Sequence, residues 1–113
     1  MDVISIKDFP GIRIGNAQNV DGGTGCTVIL SEGGMCAGLD VRGGGPASRE
    51  SELLKPLANA QTIHAVLFGG GSAFGLDAGG GVMQFLEEKD IGFDVGVTKV
   101  PLVCQSDLFD LTV

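Results

Sequence analysis

The sequence predicts a mixed α/β fold, and three patterns support that class. Residues 63–68 (IHAVLF) form a nearly continuous apolar run of the kind that a strand buried on both faces carries. Residues 73–88 follow with apolar positions at helical spacing and a charged end. Before them, residues 26–30 and 35–41 read as two further strands. Strands and a helix therefore alternate along the chain, as in α/β proteins.

The N-terminal elements are predicted from alternation and turn residues. Residues 11–15 (GIRIG) alternate isoleucine with small or polar residues, which favours a short edge strand, and residues 16–25 read as a polar loop. The strands at 26–30 and 35–41 are separated by the short segment SEGG at 31–34. A β-hairpin with a tight glycine turn is the simplest interpretation.

The C-terminal elements follow from helix and strand signals. Residues 42–56 predict a glycine loop and then a short helix that Pro56 ends, and the segment from Val100 is strand-like as far as Cys104. Ser72 is placed to cap the main helix at 73–88. The apolar stripe predicted for that helix consists of Phe74, Ala78, Val82 and Phe85.

Composition limits the function classes. The chain has 113 residues, the size of one domain, but 20 of them are glycine and add no side chain to a core. A net charge of −7 argues against nucleic acid as a partner. Residues 56–76 carry no formal charge but are too polar and glycine-rich for a membrane span. Three cysteines without CxxC spacing indicate free thiols and a reducing, cytoplasmic location.

Two glycine triplets stand out. Triplet 79–81 interrupts the predicted helix, and we expect close packing against a sheet or another helix to offset its cost. Triplet 69–71 lies between the buried strand and the helix, where free backbone N–H groups suit an anion or a developing oxyanion. A turn that merely needs positive φ angles is the alternative. A phosphate-binding loop is the least favoured interpretation, because the run lacks both a Gly-Lys-Ser/Thr ending and the spacing of a dinucleotide-binding motif.

The remaining candidates have simpler interpretations. His64 is the sole histidine and lies within an apolar strand, so a core histidine is favoured over a catalytic group or a metal ligand. A triad of Ser72, His64 and Asp77 lacks the GxSxG elbow. No metal or cofactor is expected. Arg42 and Arg49 flank a glycine loop and either bind a substrate carboxylate or hold the loop by salt bridges.

The order of several motifs gives a resemblance to a known family. FPGIRIGNA, TGCTVIL, VRGGGPASRESELL, HAVLFGGGSAFGLDAGGGVMQFLEE and KVPLV with LFDL resemble the N-terminal half of the L-aminopeptidase/D-esterase family. These are self-cleaving serine aminopeptidases, and their relatives include β-peptidyl aminopeptidases and nylon-oligomer hydrolases. The resemblance implies an αββα sandwich of the N-terminal-nucleophile type, similar to ornithine acetyltransferase, of which residues 1–113 supply a single incomplete domain.

The resemblance also implies roles for residues and partners. By position, Gly70 and Gly71 lie near the oxyanion, Ser72 begins the helix, and Phe74 contacts substrate where some relatives have a tyrosine; Arg42 is a further candidate substrate contact. The nucleophile belongs to a following segment, so this chain alone is expected to be inactive and to act in a homo-oligomer on peptides, amides or esters. A non-catalytic assembly or regulatory module with the same partial fold and an acyltransferase resembling ornithine acetyltransferase remain the alternatives.

Overall fold

The computed structural model describes residues 2–113, and its main feature is one mixed sheet. Five strands pair in the order β1-β2-β4-β7-β3, and β5 pairs with β6 in a separate small hairpin. The mixed α/β class predicted from the sequence is confirmed. The strands are β1 (Arg13–Asn19), β2 (Thr24–Met35), β3 (Ser48–Arg49), β4 (Ile63–Gly69), β5 (Phe93–Asp94), β6 (Lys99–Val100) and β7 (Val103–Asp107).

The hairpin lies earlier in the chain than the sequence predicts. β1 pairs antiparallel with β2 from Arg13↔Leu30 to Asn19↔Thr24, so most of the predicted polar loop at 16–25 is strand. The turn lies at 20–23, where Gly23 has a φ of +60° and the Asn19 side chain accepts the Gly22 N–H at 2.9 Å. The predicted hairpin of 26–30 with 35–41 is therefore wrong.

The glycines at 33 and 34 bend β2 instead of ending it. β2 continues to Met35, and its pairing with β4 shifts in register between Leu30 and Met35. Gly34 has a φ of +84°, a conformation that an L residue rarely adopts and that a bulge accommodates. The sequence predicted a turn at these positions because a Gly-Gly pair is a common turn signal, whereas here it lies inside an irregular strand.

β4 lies in the middle of the sheet, and β7 runs parallel beside it. Ala65 and Leu67 of β4 are fully buried, whereas Phe68 keeps 48% of its surface, so the predicted burial on both faces is incomplete at that end of the strand. The parallel register runs from Ala65↔Val103 to Gly69↔Asp107, which places β7 well past the predicted end at Cys104.

The connection from β4 to β7 contains the predicted helix. The chain first forms a 3-10 helix at Ser72–Asp77 and then helix α1 at Ala78–Glu87, so the predicted helical span is confirmed. The predicted cap is wrong: Gly71, with a φ of +86°, precedes the first helical residue, and no side chain caps it. Ser72 is the first residue of the 3-10 helix and has a φ of +53°.

The buried side of α1 differs from the predicted stripe. Gly79 and Leu86 are buried, whereas Phe74 is 82% exposed and Phe85 is 40% exposed. The core of the sheet consists of Leu30, Ala65, Leu86 and Val103, with Val28, Val82, Met83 and Ile91 packed against it. The predicted short helix is a 3-10 helix at Ser51–Leu54, and another 3-10 turn covers Ile6–Asp8. Within residues 2–113, no helix combines the length and apolar character needed to span a bilayer.

Candidate functional site

The candidate site lies at the carboxyl ends of β4 and β7. Because these strands are parallel and paired at Gly69↔Asp107, the segments that follow them leave the sheet at the same edge. A cavity of about 850 Å³ opens there, between this edge and the β1–β2 hairpin. Crevices outside the carboxyl ends of parallel strands are the usual ligand sites of α/β sheets. Thr24, Phe68, Gly70, Leu108 and Asp110 are among its lining residues.

The backbone amides of the glycine turn are all engaged within the chain. The N–H of Gly70 donates to the Gly25 carbonyl at 2.9 Å, and the N–H of Ser72 donates to the Leu108 carbonyl at 2.8 Å. The N–H of Gly71 donates to Asp110 Oδ1 at 2.6 Å. The expectation of free amides at this turn is therefore wrong, because Gly25 of β2 and the segment after β7 supply the acceptors.

Asp110 joins the turn to the start of β2. Its second carboxylate oxygen, Oδ2, accepts the Thr24 hydroxyl at 2.7 Å. The hydrogen bond from Thr24, followed by that from the Gly71 N–H, lowers the pKa of the Asp110 carboxyl below its usual value. A Cβ atom at Gly70 would overlap both Asp110 and Thr24. Gly70 therefore makes room for this pair.

Asp107 is held by a buried amide. Gln105 is 4% exposed, and its Nε2 donates to the Gly75 carbonyl at 2.7 Å and to Asp107 Oδ1 at 2.9 Å. Those two acceptors fix which end of the amide is nitrogen. A Cβ at Gly69 would lie 2.6 Å from Asp107 Oδ1. Two carboxylates, neither of them predicted from the sequence, thus pack against the glycine turn.

Gln105 Oε1 has no hydrogen-bond donor among the residues that the structure describes. It lies under α1, where a Cβ at Gly79 would be 2.6 Å from it and 2.8 Å from Arg49 Nη1. Arg49 extends beneath the helix, donating to the Leu76 carbonyl at 3.4 Å and to Met83 Sδ at 3.0 Å. Arg49 therefore braces α1 and takes part in none of the ion pairs found within residues 2–113.

Arg42 and Phe74 lie outside the lining of the cavity. Arg42 pairs with Asp40 at 2.7 Å, and both side chains are largely exposed, which agrees with the loop-holding interpretation. Phe74 lies just beyond the turn with its ring exposed. Of the predicted site residues, the structure brings together Gly70, Gly71 and Ser72 on one turn, and only Gly70 faces the cavity.

His64 has the role of a core histidine. It is 7% exposed, and its Nδ1 accepts the Leu102 N–H at 3.2 Å. Burial lowers the pKa of its imidazole, so the neutral form is favoured. His64 lies at the start of β4 and Ser72 beyond its far end, a separation of about 17 Å along the strand alone, so they form no triad.

The sequence offers one signal that would have indicated the missed residues. Asp107 follows the apolar run VPLVC after two polar residues, as the last residue of a strand next to β4, and Asp110 lies three residues further on. Polar residues at that point of a parallel strand lie at the ligand-binding edge of the sheet. Thr24 carries no such signal, because its position depends on the β1–β2 pairing.

The sheet, the helical connection and the cavity at the carboxyl edge define an α/β protein with a cleft of the kind that enzymes use. Comparison with known sequences is more specific, because the signature of peptidase family S58 matches residues 5–113. The chain belongs to this family of peptidases, which confirms the resemblance stated above.

The relatives add names and lengths. An uncharacterized aminopeptidase of Mycobacterium tuberculosis is 42% identical over 119 positions, which cover 96% of this chain and 34% of the relative. A similar protein of Mycobacterium leprae is 40% identical, again over 96% of this chain. The 6-aminohexanoate-oligomer endohydrolase of Kocuria sp. is 32% identical over 93% of this chain and 27% of its own length. The chain spans about a third of the length of these curated relatives.

Proposed function

We propose that this chain is the N-terminal part of a self-processing hydrolase that releases N-terminal residues from peptides, amides or esters. The observation that carries this proposal is the family match over residues 5–113, together with relatives whose names describe aminopeptidases and an amide-oligomer hydrolase. The cavity at the carboxyl edge of β4 and β7 supports it by offering a concave site of substrate size.

The nucleophile of this proposal comes from a further segment. A serine or threonine hydroxyl, freed at a new N-terminus by self-cleavage, attacks the substrate carbonyl while its own α-amino group takes the proton. The same amine then protonates the leaving amine, and water hydrolyses the resulting ester to release the acid and restore the hydroxyl. The relatives' length supports the existence of such a segment.

The proposal gives the glycine turn a role as cavity wall. Gly70, Thr24 and Asp110 line the space where substrate binds. An oxyanion contact from the Gly71 N–H requires Asp110 to leave that N–H first, since the carboxylate lies 2.6 Å from it. Contacts from Phe74 and Arg42 to substrate remain predictions, and they require the further segment to extend the cavity toward those side chains.

The test compares the 113-residue chain with the polypeptide encoded when its reading frame continues past Val113. We expect the longer product to separate into two co-purifying polypeptides by intact mass and to hydrolyse amino-acid p-nitroanilides or 6-aminohexanoate oligomers. The short chain alone is expected to be inactive. Turnover by the short chain, or a longer polypeptide that stays uncleaved and inactive on both substrates, would contradict the proposal.

A further inference from the structure

An apolar groove runs along one side of α1 and shares no lining residue with the candidate site. We call it the α1 groove. Its volume is about 350 Å³. The helix side consists of Ala78, Gly81, Val82 and Phe85, spaced along one helical stripe, and the sheet side consists of Arg13, Ile14, Gly15, Val28 and Leu30.

The part of the sheet beside α1 offers room for one helix. Neighbouring strands lie about 4.8 Å apart, and a helix with its side chains is about 10 Å wide, so one helix covers about two strands. α1 packs over β4 and β7, whereas every residue of β1 is exposed and Val28 and Leu30 of β2 line the open groove. A second helix beside α1 would complete the layer.

Two glycines of the groove lack any neighbour that explains them. A Cβ atom at Gly15 of β1 or at Gly81 of α1 would meet nothing within 4 Å. Glycine weakens both strands and helices, by about 1 kcal/mol in a helix interior. Glycine at these two positions leaves room for another backbone to approach closely. This contrasts with Gly79, whose missing side chain is explained by Gln105 and Arg49.

The exposed surface of the chain is larger than that of a typical folded protein of its mass. A folded protein of 11.5 kDa exposes about 5,800 Å², whereas this chain exposes 7901 Å². The excess of about 2,000 Å² exceeds the roughly 800 Å² that each partner buries in an interface of standard size. The curated relatives are about three times as long as the chain, which supplies enough polypeptide to cover that surface.

We propose that the α1 groove is the docking surface for an apolar helix from the segment that follows this chain in the full polypeptide. The helix lies beside α1 over β1 and β2, with its backbone closest to Gly15 and Gly81. The inference rests on the proposed function in one respect only, namely that a further segment exists. It does not depend on what that segment catalyses.

The experiment measures cysteine accessibility at two neighbouring positions. Gly81→Cys places a thiol in the groove, and Gly80→Cys is the matched control, since Gly80 is equally open but lies outside the lining of the groove. Each variant is made in the 113-residue chain and in the longer polypeptide. Maleimide labelling is followed by peptide mass spectrometry, which separates the new thiol from Cys26, Cys36 and Cys104.

In the short chain, we expect both positions to label at similar rates. In the longer polypeptide, position 81 should label at least tenfold more slowly than position 80. Hydrogen exchange on the unmodified proteins serves as a second measurement, with the amides of α1 more protected in the longer form.

Three outcomes would overturn the docking proposal. One is equal labelling at 80 and 81 in the longer polypeptide without added protection of α1. Another is concentration-dependent protection of position 81 in the short chain, which would identify a second copy as the occupant. The third is a stop codon directly after Val113. Because labelling needs no turnover, a protected but inactive polypeptide would leave the docking proposal intact while the proposed hydrolysis failed.

Discussion

Asp110 explains why the turn after β4 contains bare backbone. Its carboxylate accepts one hydrogen bond from a hydroxyl and one from a backbone amide, and it lies directly against the Cα of Gly70. A carboxylate with two charge-assisted hydrogen bonds remains ionised and holds its donors in place. Residue 70 must therefore be glycine for packing reasons, a requirement separate from any positive φ angle.

Replacing Asp110 with asparagine should lower the urea midpoint of the chain at pH 7, because the amide nitrogen cannot accept one of the two hydrogen bonds. The folded-state pKa of Asp110 is lowered, so its contribution is present above the unfolded value of about 4 and is lost as the pH falls through the folded value. Urea titrations at pH 7, 5 and 3.5 should show the difference between Asp110→Asn and wild type shrinking toward acid.

Asp94→Asn is the matched control for that experiment. Asp94 accepts a single backbone N–H, from Gly96 at 2.7 Å, within the exposed hairpin of β5 and β6. Its replacement should have little effect at any of the three pH values. A pH-independent difference for Asp110→Asn would show that the carboxylate is not what joins β2 to the turn.

Sequence reasoning identified the unusual residues of this turn but not their partners. A glycine triplet between a strand and a helix is visible in any reading of the chain. The acceptors for its amides come from residues 25, 108 and 110, which the pairing of β2 and β7 with β4 brings close. Such register is a property of the folded sheet, so free amides were the natural but incorrect expectation.

The second glycine triplet is divided between two roles along α1. Gly79 faces the sheet, where Gln105 Oε1 and Arg49 Nη1 occupy the space of a side chain. Gly80 and Gly81 face open space. The prediction that this triplet serves close packing is confirmed for one residue of three within the described chain, and the docking proposal concerns only Gly81.

The same substitution at adjacent positions of α1 should therefore have opposite effects. Gly80→Ala should raise the free energy of unfolding by about 1 kcal/mol, since alanine favours the helix and its Cβ meets nothing. Gly79→Ala should lower it by about 1–3 kcal/mol, because the Cβ would lie 2.6 Å from a buried amide oxygen. Urea unfolding of both variants provides the measurement, and equal gains would mean that Arg49 and Gln105 move aside at no cost.

Elements with strong local patterns were predictable, and those defined by pairing were not. β4 and the helix at 72–87 follow from apolar runs and helical spacing. The β1–β2 hairpin was misplaced because Asn16, Gln18 and Asn19 look like loop residues, although they suit an exposed edge strand in which Asn16 accepts the Thr27 hydroxyl at 2.7 Å. The small hairpin of β5 and β6 has strands too short for a periodic signal.

The whole molecule is more open than its length requires. Its radius of gyration is 14.9 Å, against about 13 Å for a compact domain of this size. Large apolar side chains such as Leu57, Phe74 and Val97 are almost fully exposed, each above 80%. Both findings agree with the excess surface and with relatives about three times as long. The sequence indicated a modest core from its glycine content, but the position of the uncovered face required the sheet order.

Phe85 provides a test of that openness at the scale of the whole molecule. In the 113-residue chain its ring is 40% exposed on the rim of the α1 groove, so Phe85→Ala should cost less than about 2 kcal/mol of unfolding free energy. If the full polypeptide buries this ring, the same substitution there should cost about 3–5 kcal/mol.

Leu86→Ala is the control for Phe85→Ala, because Leu86 is fully buried in the core. Its replacement should lower the free energy of unfolding by about 2–5 kcal/mol in the short and the long polypeptide alike. The comparison uses urea unfolding of all four variants with their parent proteins. The decisive quantity is the loss of unfolding free energy for Phe85→Ala divided by that for Leu86→Ala, compared between the short and the long polypeptide. A ratio that stays constant from the short to the long polypeptide would mean that Phe85 remains exposed there and that the groove is not covered by the following segment.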